Sequence, residues 1–187
     1  TAAPSKAMRS TAAVRAMSKT PRAGRTSVTD RAGADQDRPL VERFDALLCD
    51  LDGVVYAGPH AIDGAPVSLH RARESGCAVM YVTNNASRPP AAVAEHITSL
   101  GAPTTAEDVV TSAQAAAALL ADRLAPSARV LVTGATALAE EICAVGLVPV
   151  RTQGEEPHAV VQGFDPHLGW EELAEASFTL ADDSVLW

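Results

Sequence analysis

Lysine, aromatic side chains and long apolar runs are scarce in this sequence of 187 residues. Lysine occurs only as Lys6 and Lys19, and aromatic residues make up 4% of the chain. No apolar run approaches the roughly 18 residues that a membrane-spanning helix needs, so we expect no membrane partner. Hydrophobic residues still account for 47% of the chain and charged residues for 20%, which is typical of a globular protein with a buried core.

The net charge of −8 is distributed unevenly along the chain. Residues 1–43 hold nine Lys and Arg against four Asp and Glu, whereas residues 44–187 hold six against nineteen. So acidic a chain is a poor candidate for binding nucleic acid. Residues 1–43 also contain almost no large apolar side chains, which predicts a disordered basic extension. An organelle-targeting segment is the alternative, since Arg- and Ser-rich starts are typical of transit peptides.

Cysteine is also rare, and its pattern excludes a disulfide scaffold. Cys49, Cys77 and Cys143 are odd in number and form no C-x-x-C pair, and each lies in an apolar stretch. We therefore expect buried free thiols in a reducing compartment, which favours a cytoplasmic location.

From residue 44 onward, short apolar runs alternate with helical patterns. The strands are predicted at residues 46–51, 78–82, 109–110, 129–132, 158–161 and 185–187. Between them, apolar side chains recur at helical spacing, with Asp63 capping the first helix and a Thr111–Gln114 capping box opening a later one. This alternation with short connections predicts an α/β fold built on parallel sheets.

Two polar clusters directly follow the first two predicted strands. The first begins with Asp50, Asp52 and Gly53, and the second with Thr83 and Asn84. Ligands bind beyond the carboxyl ends of parallel strands, where these clusters lie. Two neighbouring carboxylates repel each other unless a cation offsets them, and Mg²⁺ prefers such oxygen ligands. Gly53 offers a bare backbone amide beside a phosphate, and Thr83 and Asn84 offer a hydroxyl and an amide for phosphate oxygens.

These two motifs resemble those of a known enzyme family. Residues 49–56, C-D-L-D-G-V-V-Y, and residues 82–88, V-T-N-N-A-S-R, resemble the first and second signatures of the haloacid dehalogenase-like hydrolases. Their pairing is similar to the subclass of p-nitrophenyl, phosphoglycolate, pyridoxal phosphate and glycerol-3-phosphate phosphatases. Residues 159–165, A-V-V-Q-G-F-D, are similar to the cap strand and loop of that subclass.

The resemblance implies a Mg²⁺-dependent phosphatase that hydrolyses small phosphorylated metabolites. Asp50 would be the nucleophile that forms an aspartyl-phosphate, and Asp52 the general acid and base. Mg²⁺ would be held by the Asp50 carboxylate and the Asp52 backbone carbonyl. Thr83 and Asn84 would hold the phosphate, and Asp165 and His167 would face the substrate from the cap loop.

The resemblance also implies an architecture. We expect a Rossmann-like core over residues 44–125 and part of an inserted α/β cap over residues 126–187. A homodimer formed through the cap is a further expectation.

The sequence departs from the family pattern in its basic residues. The family needs a lysine of a third motif and carboxylates of a fourth, but both lysines here precede Asp50. The chain also ends on an apolar residue within a predicted strand. We therefore expect both core and cap to be incomplete, and this chain to be an N-terminal fragment without turnover of its own.

Two other functions stay open from the sequence. A phospho-accepting signalling module of the response-regulator type also uses Asp clusters at strand ends with Mg²⁺, although such modules carry no cap. The other is a non-catalytic remnant that binds partners through an exposed sheet edge.

Overall fold

The structure of the protein, a computed structural model, describes residues 39–187. The chain divides into two compact units. The described part of the first comprises residues 39–82 and 94–109, and the second comprises residues 83–93 and 110–187. No helix of the described residues is long and apolar enough to cross a bilayer.

The predicted basic extension falls almost entirely outside the described residues. Of residues 1–43, the structure describes the last five, where Leu40–Arg43 form a single helical turn without a buried side chain. The division into a core segment, 44–125, and a cap segment, 126–187, stays a prediction.

Strands and helices alternate along the chain, as the sequence predicts. In chain order the elements are α1 Leu40–Arg43, β1 Ala46–Cys49, β2 Tyr56–Ala57, β3 His60–Ala61, α2 Ala65–Glu74, β4 Ala78–Thr83, α3 Pro90–Ser99, β5 Val109–Thr111, α4 Ser112–Arg123, β6 Arg129–Thr133, α5 Thr136–Ala144, β7 Val148–Val150, β8 Ala159–Gln162 and α6 Trp170–Thr179. The strands form a sheet of order β1-β4-β5, a β2-β3 hairpin and a sheet of order β7-β6-β8.

The strand pairings confirm the predicted α/β fold with parallel sheets. β1 runs parallel to β4, with Cys49 opposite Tyr81. β6 runs parallel to both β7 and β8. The predicted last strand is present as a single parallel bridge between Ala159 and Leu186.

Two local predictions in the first unit are wrong. The apolar sequence of β1 predicts a buried strand, but Leu48 is 56% exposed, and β1 is an edge strand of its sheet within the described residues. Asp63 does not cap α2, since the N-cap is Gly64 in a left-handed conformation with φ of 75°. A glycine adopts that conformation at no steric cost, so it sets the turn into the helix without a side-chain cap.

The second unit has helices on both faces of its sheet. Val130 and Val132 of β6 pack with buried side chains of α4 and α5. Leu131, between them, packs on the opposite face with Val160 and with Ala176 of α6. Alternating side chains of one central strand therefore build two separate apolar layers.

The free thiols differ in burial. Cys77 is buried, Cys49 is half-buried and Cys143 is exposed on α5. The prediction of buried thiols is therefore correct for Cys77 and wrong for Cys143, which lies on a face of the amphipathic helix that turns away from the core.

The guanidinium of Arg73 joins three segments of the first unit. From the last turn of α2 it donates hydrogen bonds to the backbone carbonyls of Pro103 and, at 3.2 Å, Val79. It also forms an ion pair with Asp108 at 3.2 Å and lies over the ring of Tyr81, 5.8 Å from its centroid. One partly buried cation thus ties helix, strand and loop together.

Replacing Arg73 by alanine should lower the stability of the chain by about 2 kcal/mol, because Asp108 and two carbonyls lose their donor. Urea denaturation followed by circular dichroism measures this change. Arg71→Ala is the matched control, since Arg71 lies exposed in the same helix turn. Equal denaturation midpoints for the two variants would show that the Arg73 contacts contribute nothing to stability.

Candidate functional site

The loop after β1 is wound around one backbone carbonyl. The Leu51 oxygen accepts the amides of Val54, Val55 and Tyr56 at 3.2, 2.9 and 3.2 Å. The amide of Gly53 donates to the Tyr56 oxygen at 2.8 Å, and its φ of 80° is a conformation that suits glycine. These bonds close the D-x-D-G motif into a rigid turn.

Asp50 and Asp52 lie on either side of a fully buried residue. Leu51 is 0% exposed, whereas both aspartates are exposed. One oxygen of Asp50, Oδ1, accepts the amide of Leu51 at 2.8 Å. Within residues 39–187, neither aspartate forms an ion pair with a basic side chain. Two carboxylates are therefore presented to solvent without a protein cation to offset them.

The donor chemistry of this turn fits a hard divalent cation in part. Carboxylate oxygens and a backbone carbonyl are ligands that Mg²⁺ prefers. No cluster of three or more His, Cys, Asp or Glu side chains that could hold a metal occurs in the described residues. The two aspartates would therefore supply part of an octahedral shell, and water or a phosphate oxygen would supply the rest.

The thiol of Cys49, next to Asp50, is not arranged as a nucleophile. Its burial raises the pKa of the thiol, and the nearby Cys77 raises that pKa further. A raised pKa keeps the sulfur protonated, and the thiolate is the reactive form. The Cys49 thiol is therefore a poor nucleophile in this setting.

The end of β4 presents a hydroxyl whose proton is available. Thr83 is 3% exposed, and its Oγ1 accepts the amide of Asn85 at 3.1 Å. Because the oxygen already serves as an acceptor, the hydroxyl proton can be donated to a ligand oxygen.

Asn85 organises this loop, and the sequence analysis did not assign it a role. Its Oδ1 accepts the amides of Ser87 and Arg88 at 2.8 and 3.2 Å and the hydroxyl of Ser87 at 3.0 Å. An asparagine that bonds the backbone two residues on is the signature of an Asx turn. The second asparagine of T-N-N could have been assigned this role on that rule.

Ser112 is a second residue that the sequence analysis missed. Its hydroxyl donates to the backbone carbonyl of Asn84 at 2.8 Å. Ser112 is the first residue of α4, and the predicted capping box fixes the start of that helix. The backbone amide of Gln114 donates to Thr111 Oγ1 at 3.2 Å, and the backbone amide of Thr111 donates to Gln114 Oε1 at 3.0 Å. The loop after β4 is thus bonded to the first residue of α4.

The loop after β8 meets the loop after β4 within the second unit. A Cβ atom on Gly163 would lie 3.0 Å from the Cβ of Ala86, and a Cβ on Gly134 would lie 2.8 Å from the Gly163 oxygen. Only glycine leaves room for so close an approach at these positions. The loops after β4, β6 and β8 therefore approach one another closely within the second unit.

The predicted site residues fall into both compact units. Asp50, Asp52 and Gly53 share one turn of the first unit. Thr83 and Asn84 belong to the second unit, with Asp165 and His167 on the loop that begins at Gly163. There Asp165 Oδ1 accepts the amide of His167 at 2.9 Å. The roles of all these residues stay predictions.

Comparison with known proteins gives consistent relatives. The family model for haloacid dehalogenase-like hydrolases matches residues 47–148. D-glycerol 3-phosphate phosphatase of Mycobacterium tuberculosis is 50% identical over 150 residues, which covers 80% of this chain and 41% of that protein. Glycerol-3-phosphate phosphatase of Homo sapiens is 36% identical over 170 residues, which covers 78% of this chain and 53% of the human protein.

Solved structures agree with the sequence comparison. A crystal structure of glycerol phosphate phosphatase from Mycobacterium tuberculosis in complex with magnesium superposes with a TM-score of 0.76 at 49% identity. The superposition covers 80% of this chain and 44% of that one. The chain thus spans about half the length of the relatives it matches.

The family model extends over more than half of the chain and includes both motifs whose resemblance the sequence analysis noted. The parallel sheets and the loops at their carboxyl ends agree with that match. The chain therefore belongs to the haloacid dehalogenase-like hydrolases.

Proposed function

We propose that the complete gene product is a Mg²⁺-dependent phosphatase that hydrolyses small phosphorylated metabolites through an aspartyl-phosphate. The observation that carries this proposal is the pair of exposed carboxylates around the buried Leu51, at the end of a strand paired in parallel with β4. Cys49 lies opposite Tyr81, so the carboxyl ends of the two strands are at the same edge of the sheet. Ligands of parallel α/β sheets bind at such edges.

Asp50 is the proposed nucleophile. The Leu51 amide holds Oδ1 at 2.8 Å and thereby fixes the carboxylate plane, which leaves Oδ2 to attack phosphorus. As the new O–P bond forms, the bond from phosphorus to the substrate oxygen breaks, and that oxygen keeps the electron pair. Asp52 donates a proton to this leaving oxygen, and it later takes a proton from the water that releases phosphate.

The Asp50 carboxylate and the Asp52 backbone carbonyl would hold Mg²⁺. When bound, the ion neutralises charge on the transferred phosphoryl group. Thr83 and Asn84 donate to phosphate oxygens. The Gly53 amide, expected from the sequence to be bare beside the phosphate, instead donates to the Tyr56 oxygen at 2.8 Å and is not available to a ligand. Asn85 and Ser112 hold this loop in shape through the hydrogen bonds given above.

The substrate class follows from the relatives and from the loop that carries Asp165 and His167. The named relatives are glycerol phosphate phosphatases, which favours a small polyol phosphate as substrate here. A carboxylate and an imidazole suit the hydroxyl groups of such a molecule.

A homodimer formed through residues 126–187 and a reducing, cytoplasmic location complete the proposal.

Asp50→Asn should abolish turnover in the complete gene product while leaving it folded, because an amide cannot act as the nucleophile. We expect hydrolysis of p-nitrophenyl phosphate with Mg²⁺ to fall by a factor on the order of 10⁴ or more. Asp63→Asn, an exposed aspartate of the same unit, is the control and should retain the parent rate. Parent-like turnover by Asp50→Asn would contradict the assignment.

The 187-residue chain alone should show no significant turnover of p-nitrophenyl phosphate. No lysine follows Asp50 in it, and removing one preorganised electrostatic donor costs about 10²–10³ in rate. Steady-state hydrolysis by the purified chain with excess Mg²⁺ measures this. Multiple turnovers that disappear in the Asp50→Asn chain would contradict the prediction.

Ser112→Ala should weaken phosphate binding by the complete gene product, because the Asn84 carbonyl loses its donor. We expect the inhibition constant of inorganic phosphate to rise about five- to tenfold, the value of one hydrogen bond. Ser112→Thr keeps the hydroxyl and should restore binding. Ser68→Ala, on the exposed side of α2, is the control. An unchanged constant in Ser112→Ala would exclude this role of Ser112.

A further inference from the structure

A very short hairpin follows the carboxylate turn. β2 and β3 are two residues each, joined by Gly58 and Pro59. Its tip is exposed, including Ala57 and His60. A two-stranded hairpin of this size is not stable by itself in water, so contacts from elsewhere must hold it in place.

His96 of α3 contacts this hairpin at two points. Its ring meets the ring of Tyr56 edge to face, with centroids 4.7 Å apart and an interplanar angle of 69°. Its Nε2 lies 3.2 Å from the backbone oxygen of Gly58. A carbonyl only accepts, so Nε2 is the donor in this bond. All three residues belong to the first compact unit.

The hairpin is in turn bonded to the turn that carries Asp52. Tyr56 is 6% exposed, and its backbone oxygen accepts the Gly53 amide at 2.8 Å. A β-bridge also pairs Asp52 with Tyr56. The position of Tyr56 therefore fixes the backbone at Asp52 and Gly53.

We propose that His96 is a positioning residue for Asp52, acting through Tyr56 and the hairpin tip. This inference rests on the proposed function, in which Asp52 protonates the leaving oxygen. His96 contacts Tyr56 of β2 and Gly58 of the hairpin turn, and Tyr56 in turn bonds the backbone at Asp52 and Gly53. Loss of His96 loosens the backbone at Asp52, whereas the Asp50 carboxylate keeps its hydrogen bond from the Leu51 amide.

The leaving group separates this role from a general effect on stability. An alkyl alcohol leaves as a strongly basic oxygen and needs the proton from Asp52. A nitrophenolate is stable as an anion and leaves without one. A misplaced acid therefore selectively slows formation of the phosphoenzyme from an alkyl phosphate, whereas partial unfolding slows this step equally for both esters.

The first experiment compares two esters in the complete gene product. In His96→Ala at saturating Mg²⁺ we expect kcat/KM for glycerol 3-phosphate to fall about tenfold and kcat/KM for p-nitrophenyl phosphate to change less than about twofold, because kcat/KM does not include the later hydrolysis of the phosphoenzyme. His96→Gln keeps a donor for Gly58 and should recover part of the loss. His70→Ala is the control, since His70 is exposed on α2 and pairs with Glu74 at 3.5 Å.

The second experiment is independent of activity and uses the 187-residue chain. Amide exchange followed by NMR should be about tenfold faster at Gly53 in His96→Ala than in the parent. The amide of Ala78, which donates to the Asp45 oxygen at 3.0 Å, should exchange at the parent rate. In the control variant His70→Ala, the amides of Gly53 and Ala78 should both exchange at the parent rate.

The outcomes separate the two proposals. Equal losses on both esters, or an unchanged Gly53 amide, would overturn the role of His96 while leaving the phosphatase intact. If the parent gene product hydrolysed neither ester, the proposed function would fail, and the exchange rates alone would decide whether His96 fixes the turn.

Discussion

The carbonyl of Leu51 is the acceptor on which the candidate site depends. Three amides converge on this one oxygen, and the Leu51 side chain is fully buried. The buried side chain fixes the position of Leu51, and the three hydrogen bonds to its oxygen restrict the backbone conformation of the turn that follows. As a result, Asp50 and Asp52 are exposed to solvent, and two like charges lie on the same turn. A turn that keeps two carboxylates together, with no cation from residues 39–187 beside them, has a structure suited to binding an external cation.

The sequence contains enough local information to predict most of the fold. Each parallel strand is a short apolar run, each helix has its own periodicity, and the capping box at Thr111 is a four-residue pattern. The two motifs at the ends of β1 and β4 could likewise be assigned, since the residues that form each turn are neighbours in sequence. Local patterns of this kind survive in the fold because the same backbone hydrogen bonds satisfy them.

What the sequence could not predict depends on contacts between distant residues. The edge strand β7 contains Pro149, which resembles a strand breaker until its position at the edge of β7-β6-β8 is known. Ser112 bonds Asn84 across 28 residues, and His96 bonds Gly58 across 38. No sequence pattern indicates such pairs, because Ser112 and His96 are ordinary helical residues and their partners, Asn84 and Gly58, are loop residues far away along the chain. The match to the haloacid dehalogenase-like hydrolase family disfavours the response-regulator alternative.

Three of the basic side chains in the described residues are engaged in bonds away from the carboxylate turn. Arg73 is engaged with Asp108 and two carbonyls, and Arg129 pairs with Glu156 at 3.1 Å. Arg151 donates to the carbonyls of Val132 and Gly134 at 2.8 and 3.0 Å. Each of these guanidiniums would give up structural bonds if it moved to an aspartyl-phosphate. An arginine already bonded within the fold is costly to recruit, so the proposed phosphoenzyme would need a separate cation, in the place where the family uses a lysine.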